Sequence, residues 1–333
     1  MSPSRAAAIG LLLLVALVSF RAHAADTDGA RLAPLPWREP APLARLFLQL
    51  PFETAEVLTP GALAVGFDLL YSNSLLLARS ANLDLDVDVE TAQPTVRLRY
   101  GLGRRLEAEL GIPVVVDYGG FLDRPIEIVE GWFHAANPQR TWVPRNTRRF
   151  HLTRPDGSGI AEDGPAAGLG DLWASLKVSL PTPPEAMQLA LRGAVKLPTG
   201  RLPFGSEEVD LGASLLASWS SRHTAVWLEA DFLFPTADLP AVHIHTRPYG
   251  AAQLGVSQRL ADRVALVVQG SGHLSPMRST GFDQLDRPTA YLLVGVDVAL
   301  SRSVRIHAAV TENIFSPYRG ADITFPIGVE ASF

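Results

Sequence analysis

Across residues 61–333 the chain alternates apolar and polar positions with a period of two. Leu63, Val65, Phe67, Leu69 and Tyr71 interleave with Ala64, Gly66, Asp68 and Ser72. Leu106, Ala108, Leu110, Ile112, Val114 and Val116 interleave with Glu107, Glu109, Gly111 and Asp117. The alternation returns at 172–180, 189–197, 209–219, 226–234, 252–260, 264–268, 292–300, 304–310 and 325–333. Successive side chains of a strand point to opposite faces, so each segment carries one oily and one polar face. The pattern predicts twelve strands, near 61–72, 83–102, 105–117, 170–181, 186–198, 208–220, 224–235, 248–260, 263–274, 289–301, 303–315 and 322–333. One of them changes phase. Its apolar residues are odd-numbered at Leu83, Leu85, Val87 and Val89, then even-numbered at Val96, Leu98 and Tyr100. A strand exchanges its faces only by slipping one residue. A bulge near 92–94 is therefore predicted, with Pro94 tolerated there and Asp84, Asp86 and Asp88 above the membrane.

The connections alternate as well. Those after the even-numbered strands are short, as at Gly103-Arg104 and Ala261-Asp262, and the others are long, the longest being 118–169. An even strand count with short turns on one side and long loops on the other predicts an all-β, transmembrane antiparallel β-barrel of the outer-membrane kind, with both termini in the periplasm. The oily faces then touch lipid, and closure pairs every backbone group. The final stripe Phe325, Ile327, Val329, Ala331, Phe333 ends on the last residue. It resembles the terminal signal that barrel-assembly machinery reads, which makes Phe333 the expected assembly residue.

The polar faces then point into the lumen. They bring together Asp68, Glu107, Glu109, Asp210, Glu229, Asp231, Asp297 and Glu330 with Arg97, Arg99, Lys177, Arg192, Lys196, Arg259 and Arg305. Buried charges have to be paired, so a salt-bridged interior with at most a narrow passage is expected. The same residues would serve either as scaffold or as a selectivity lining.

Upstream, Arg5, an apolar run over 6–20 and Ala22-His23-Ala24 form a cleavable export signal, 1–24. Removing it takes Arg5 and Arg21 and no acid, which lowers the net charge from −5 to −7 and argues against a nucleic-acid partner. Residues 25–60, rich in Pro, Ala and Leu without a period, are expected to be a periplasmic lead-in to a barrel spanning 61–333. The chain has no cysteine, which excludes disulfides, thiolate metal sites and a lipidated N-terminal Cys. His243 and His245 lack a visible third ligand, so no metal and no cofactor is expected.

A connection as long as 118–169 is seldom passive. It carries Asp123, Trp132, His134, Arg140, Arg145, Arg148 and Arg149. It reads as a gate over the mouth, or as an arginine cluster gripping lipopolysaccharide phosphates, against the plain alternative of a mobile surface loop. The expected function is a channel or uptake protein for a small solute, with outer-membrane lipid and lipopolysaccharide around it. A lipid hydrolase or lipid-modifying enzyme and a structural or adhesive barrel are the alternatives. For the enzyme, His273-Leu274-Ser275 resembles the His-x-Ser of the outer-membrane phospholipase family; Pro276-Met277 replaces that family's Asn-Gly, and no partner Asn is evident.

The stretch Tyr118-Gly119-Gly120-Phe121-Leu122-Asp123, then Trp132-Phe133-His134, then Gly168-Leu169-Gly170-Asp171-Leu172 resembles an uncharacterised family of proteobacterial outer-membrane proteins known only as a domain of unknown function. Tyr71-Ser72-Asn73-Ser74 and Asp88-x-Glu90-Thr91 fit it too, and the likeness runs over about 45–333. Phe133, between the Trp and the His, departs from the family pattern. The resemblance implies the fold and the location, without a settled activity. Lys196-Leu197-Pro198-Thr199-Gly200 looks like a strand end of barrels linked to uptake of aromatic compounds.

Overall fold

The computed structural model describes residues 32–81, 83–133, 137–183, 187–239, 244–313 and 319–333; the expected signal 1–24 lies outside them. Strands β1 (Leu63–Arg79), β2 (Asp84–Gly103) and β3 (Leu106–Tyr118) form antiparallel neighbours. A small hairpin of β4 (Arg149–Thr153) and β5 (Gly159–Asp163) adds to the upper part of β2. β6 (Ala166–Leu169) and β7 (Trp173–Ser179) are two halves of one wall strand, and both pair with β3. The wall continues through β8 (Gln188–Lys196), β9 (Asp210–Ser220) and β10 (Thr224–Pro235). After the short β11 (His245–Thr246) come β12 (Tyr249–Ala261) and β13 (Val264–His273), with β14 (Met277–Arg278) pairing β11. β15 (Thr289–Ala299), β16 (Val304–Glu312) and β17 (Ile323–Ser332) complete the circuit. β17 pairs back onto β1 from Ala64↔Ser332 to Asn73↔Ile323, so the sheet closes as a twelve-stranded barrel. Each of the twelve expected strands is present.

The alternation sorts the faces as the physics requires. Leu176, Leu191, Phe232, Leu254, Leu260 and Ile327 are each more than half exposed on the outer surface, while Glu107, Lys177, Arg192 and Asp231 are at most 2% exposed inside. An oily belt of this extent is tolerable only against hydrocarbon. Two stacked sheets would have buried it.

The phase change in β2 has a different cause from the bulge expected near 92–94. The β1–β2 register is continuous from Leu63↔Tyr100 to Arg79↔Asp84. Odd positions of β2 face inward throughout: Leu85, Val87, Val89, Thr91, Gln93, Thr95 and Arg97 are all buried. The strand keeps its faces and its surroundings exchange. At membrane depth the inside is polar and the outside oily. Above the membrane the inside is an apolar core and the outside is water.

Residues 25–60 are not a periplasmic lead-in over their described part. From Leu32 on, the chain lies inside the barrel, and Leu35, Leu43, Leu46, Leu48 and Phe52 are at most 2% exposed. The segment is a hairpin. Its first leg starts near the turn end, where the Arg305 guanidinium donates to the Pro34 carbonyl (3.4 Å), and climbs past Gln269 to His273 at the loop end. It turns through the 3-10 turn Ala44–Leu46 and descends past Asp210, Glu229 and Ser218 to Glu107, before joining β1. Irregular backbone at membrane depth is allowed only where protein surrounds it, and the lumen supplies that setting.

Candidate functional site: an occupied lumen under an apolar cap

The hairpin's backbone, which has no ladder of its own, bonds to side chains on the wall. Leu35 donates its N–H to Gln269 Oε1 (2.6 Å) and accepts from Gln269 Nε2 (3.1 Å). Leu48 N–H donates to Asp210 Oδ2 (2.7 Å), Ala55 N–H to Ser218 Oγ (2.7 Å) and Leu58 N–H to Glu107 Oε2 (2.7 Å). In return Lys196 Nζ donates to the Leu46 carbonyl (2.6 Å), Gln253 to Leu50 (3.2 Å) and Arg192 to Pro51 (3.1 Å). These bonds answer the requirement that buried backbone polar groups be paired. The wall makes room for the hairpin: a Cβ on Gly295 would come within 2.8 Å of Leu35 Cδ1.

Ion pairs bind the hairpin and the wall into one network. Arg45, at the tip, grips Asp117 through both guanidinium ends (2.9 and 2.6 Å), a bidentate geometry. Glu53, on the descending leg, takes the Lys177 ammonium at 2.8 Å, with Arg97 and Arg192 each at 3.8 Å. The wall cations also have carboxylates of their own: Arg97 meets Asp68 (2.6 Å) and Glu109 (3.1 Å), Lys177 meets Glu107 (3.0 Å), and Arg192 meets Glu229. Arg99 pairs with Glu330 (2.8 Å), Lys196 with Asp171 (3.1 Å) and Asp210 (3.3 Å), and Arg305 with Asp297 (3.0 Å). Asp231 sits 3.6 Å from Arg192, and Arg259 is half-buried on the inward face of β12. These side chains face inward. Their neighbour there is a polypeptide.

Above the belt, the inward faces of β1, β2 and β4 close over the hairpin tip. Leu76, Leu85, Val87, Val89, Phe150 and Leu152 pack with Leu43, Phe47 and Leu48 of the hairpin and with Leu239, Ile244, Met277, Phe282 and Leu285 of neighbouring loops. This is the apolar interior that shifts the phase of β2.

Much of the long connection lies elsewhere than expected. Asn73 and Glu90 share the outward faces of β1 and β2, and the described residues 118–133 and 137–147 lie against them as a collar outside the rim. Glu90 accepts the Leu122 N–H (2.5 Å) and the Tyr71 hydroxyl, and Tyr118 donates to Tyr71 (2.8 Å). Gly120, at φ +65°, lies so close that any Cβ would overlap the Glu90 carboxylate. Asp123 accepts from Arg140 (3.2 Å) and from the Asn146 N–H (2.7 Å), and Arg140 reaches on to Asn73 (2.9 Å) and Asp322 (2.7 Å). The motif residues Tyr71, Asn73, Glu90, Tyr118, Gly120 and Asp123 thus form one fastening. Arg145 pairs with Glu127 (2.7 Å) on the exposed side and holds the Glu127 carboxyl below its usual range. Arg148 pairs with Glu162 (3.1 Å), and Arg149 with Asp86 (3.2 Å). Trp132 lies in the last turn of the short helix Asp123–Phe133, and His134 lies outside the described residues. Of the residues expected to gate the mouth, Asp123 and Arg145 belong to this collar.

A second fastening joins the break between β6 and β7 to the turn after β8. Asp171 accepts from the Gly200 N–H (2.9 Å) and the Ser206 N–H (2.8 Å), and Phe204 packs on Gly168. Under it lies a small cleft between the hairpin and the wall, with room for a water or two, bordered by Arg38, Phe47, Gln93, Trp173 and Phe204.

No catalytic pair forms at 273–275. His273 is bound to Glu39 (2.5 Å), and Ser275 donates to the Leu285 carbonyl and accepts from the Met277 N–H (3.0 Å). A nucleophilic serine needs its base within reach, and each of these side chains is engaged elsewhere. His245 pairs with Asp238 (2.8 Å), His243 lies outside the described residues, and among those described no cluster of metal-binding side chains occurs.

The profile of a family described as "Protein of unknown function (DUF3187)" matches residues 10–333. No curated protein sequence matches the chain. Among solved structures, the COG4313 outer membrane channel from Pseudomonas putida F1 is similar in fold at 14% identity, with a TM-score of 0.58 over 84% of this chain and 98% of that one. The NanC porin aligns at 7% identity and a TM-score of 0.47, over 81% and 98% of the two chains.

Proposed function

Because the chain belongs to the DUF3187 family, whose description carries no activity, we propose a function from its geometry: a gated outer-membrane channel that takes up a small solute. The observation that carries this reading is the hairpin itself. It fills the lumen, yet both of its legs run to the turn end, near Arg305 on one side and Glu107 on the other. A plug so arranged can be withdrawn toward the periplasm without unthreading. Its seat is polar, so its departure leaves side chains that water can solvate. The apolar cap closes the other end, and the collar holds the rim to which the cap is joined. Likeness to a solved outer membrane channel agrees with this.

The test uses the absence of native cysteine. A Cβ on Gly212 would lie 2.9 Å from Leu48 Cδ2, near the hairpin tip. The double variant Leu48→Cys, Gly212→Cys, joined by oxidation or by a short bifunctional thiol linker, should be silent in planar bilayers. A variant lacking 33–58 should conduct. If the pinned and unpinned proteins carry the same current, or if removing the hairpin opens nothing, the channel reading fails.

A further inference from the structure

The carboxylates that line the lumen take their cations from the wall, with one exception. Asp68 has Arg97, Glu107 has Lys177, Asp171 and Asp210 have Lys196, Glu229 has Arg192 and Glu330 has Arg99. Asp117 differs. Among the described residues, the cation within ion-pair distance of it is Arg45, at the tip of the hairpin, and both side chains are buried. A buried carboxylate is costly without a counter-charge. Asp117 therefore depends on a cation that leaves when the hairpin does.

The seat matches the shape of that cation. Arg45 Nη1 and Nη2 donate to the two Asp117 oxygens (2.9 and 2.6 Å). Nε and Nη2 donate to the Pro203 carbonyl, in the turn after β8 (3.3 and 3.2 Å). Nη1 also lies 3.4 Å from the Thr91 hydroxyl, which itself donates to Asp117 (2.7 Å). The Phe204 ring faces the guanidinium carbon at 5.8 Å, within cation–π range. Each of the three nitrogens thus has an acceptor. Those acceptors come from β2, β3 and the turn after β8, and none from the hairpin. A planar guanidinium fork meets them together, whereas a compact ammonium does not. Thr91 and Asp117 are paired across β2 and β3 at the loop end of the barrel.

We propose that this seat is a binding site for a small solute carrying a guanidinium group, and that Arg45 fills it in the closed state as a tethered stand-in. The solute takes the place that water otherwise fills once the tip departs. It binds the withdrawn state alone, so it draws the hairpin out by mass action. The proposal rests on the uptake reading, for which it names the solute class. Binding and withdrawal can, however, be followed in detergent, where passage plays no part.

Butylguanidinium, butylammonium and butylurea share one chain and present a planar cation, a compact cation and a planar neutral head. Ser257→Cys places the chain's one thiol at a buried inward position of β12. In the folded, detergent-solubilised protein, the rate of maleimide labelling there should rise with millimolar butylguanidinium as 1 + [L]/Kd, about ten-fold at ten times Kd. The second bond of the fork should give butylguanidinium about ten-fold tighter action than butylammonium. Butylurea should leave the rate unchanged, which sets the response apart from denaturation. Asp117→Asn should remove the response, whatever it does to the starting rate. An unchanged rate with butylguanidinium, equal action of the two cations, an equal response to butylurea, or a response that survives Asp117→Asn overturns the proposal. The comparison of the three compounds stands even if Asp117→Asn fails to fold. A response to butylguanidinium in a protein whose hairpin-deleted form stays silent in bilayers would keep the site and reject the channel; current through that form with no response would do the reverse.

Discussion

The hold of the hairpin can be measured at Glu53. Its carboxylate accepts the Lys177 ammonium at 2.8 Å and stands 3.8 Å from both Arg97 and Arg192. Glu53→Gln removes the charge and keeps the shape. Orphaning a buried ion costs about 3–5 kcal/mol, but none is orphaned here. Lys177 keeps Glu107, Arg97 keeps Asp68 and Glu109, and Arg192 keeps Glu229. The loss is that of one charge-assisted hydrogen bond, roughly 1.5–3 kcal/mol. It falls on the seated state alone, so the withdrawn population should rise roughly 10- to 100-fold. Ser257 provides the reporter. It faces inward on β12, is fully buried, and its hydroxyl has no bond among the described residues, so Ser257→Cys disturbs little. In a chain without other thiols, the rate at which a bulky maleimide labels the introduced thiol follows the fraction of time the hairpin is away. That rate should rise in Glu53→Gln by the same factor. Identical labelling with and without Glu53, while the unfolded protein labels quickly, would refute the electrostatic account of the seat.

Two further outcomes concern the rim. Arg140→Ala removes the guanidinium that Asp123 and Asp322 share, both buried, while Asp123 keeps the Asn146 N–H, and the lost charge-assisted hydrogen bonds should cost roughly 1.5–3 kcal/mol of local stability; trypsin should then cut within 118–147 in the folded barrel, and unchanged resistance would show that the collar is held otherwise. Asp88 lies above the oily belt, where burial and then the neighbouring Asp123 push its carboxyl from 3.8 up to about 7. A carboxyl raised on folding keeps its proton in the native state while the unfolded chain has lost it, so stability falls as pH climbs. Resistance of the rim to protease should therefore decline between about pH 4 and 7 and level off above. Asp88→Asn should flatten that decline; an unchanged slope would place the titration on another group.

The wall was legible in the sequence because lipid on one side and a polar lumen on the other impose the strictest form of period two. All twelve strands and their faces follow from it. The rest was less legible for identifiable reasons. In β2 a single strand passes through two environments of opposite polarity, and a change of medium mimics a change of register. In 33–58 the backbone is irregular and borrows its hydrogen bonds from distant wall residues such as Gln269, Asp210 and Ser218, so no local period marks it. A signal for the occupant did exist on the wall. Inward positions with small residues, such as Gly212, Gly255 and Gly295, sit under Leu48, Phe52 and Leu35. The collar was hidden for a related reason: Asp123 and Arg140 find Asn73 and Asp322 at opposite ends of the chain.

The seat's chemistry bears on why the interior is so heavily charged. If the hairpin were held by oily packing alone, its withdrawal would leave an apolar tube that water resists entering. Here the wall groups that lose the hairpin retain partners of their own. Asp117 loses Arg45 but keeps the Thr91 hydroxyl (2.7 Å), Asp210 loses the Leu48 N–H but keeps Lys196, and Glu229 loses the Glu53 N–H but keeps Arg192. Each vacated position keeps at least one hydrogen-bond partner; of the three, Asp117 alone gives up its cation, and water takes that place. The apolar contacts add to what favours the closed state, where Leu43, Phe47 and Leu48 enter the cap, Leu35 and Trp37 meet Val267, Tyr291 and Leu293, and Phe52 meets Trp227. Burial of this kind contributes about 25 cal/mol per Å², so trimming one such residue moves the balance without dismantling the wall. A plug with polar seating and a few oily anchors can thus be both firmly closed and releasable, and the salt-bridged lining serves as scaffold in one state and as a wettable surface in the other.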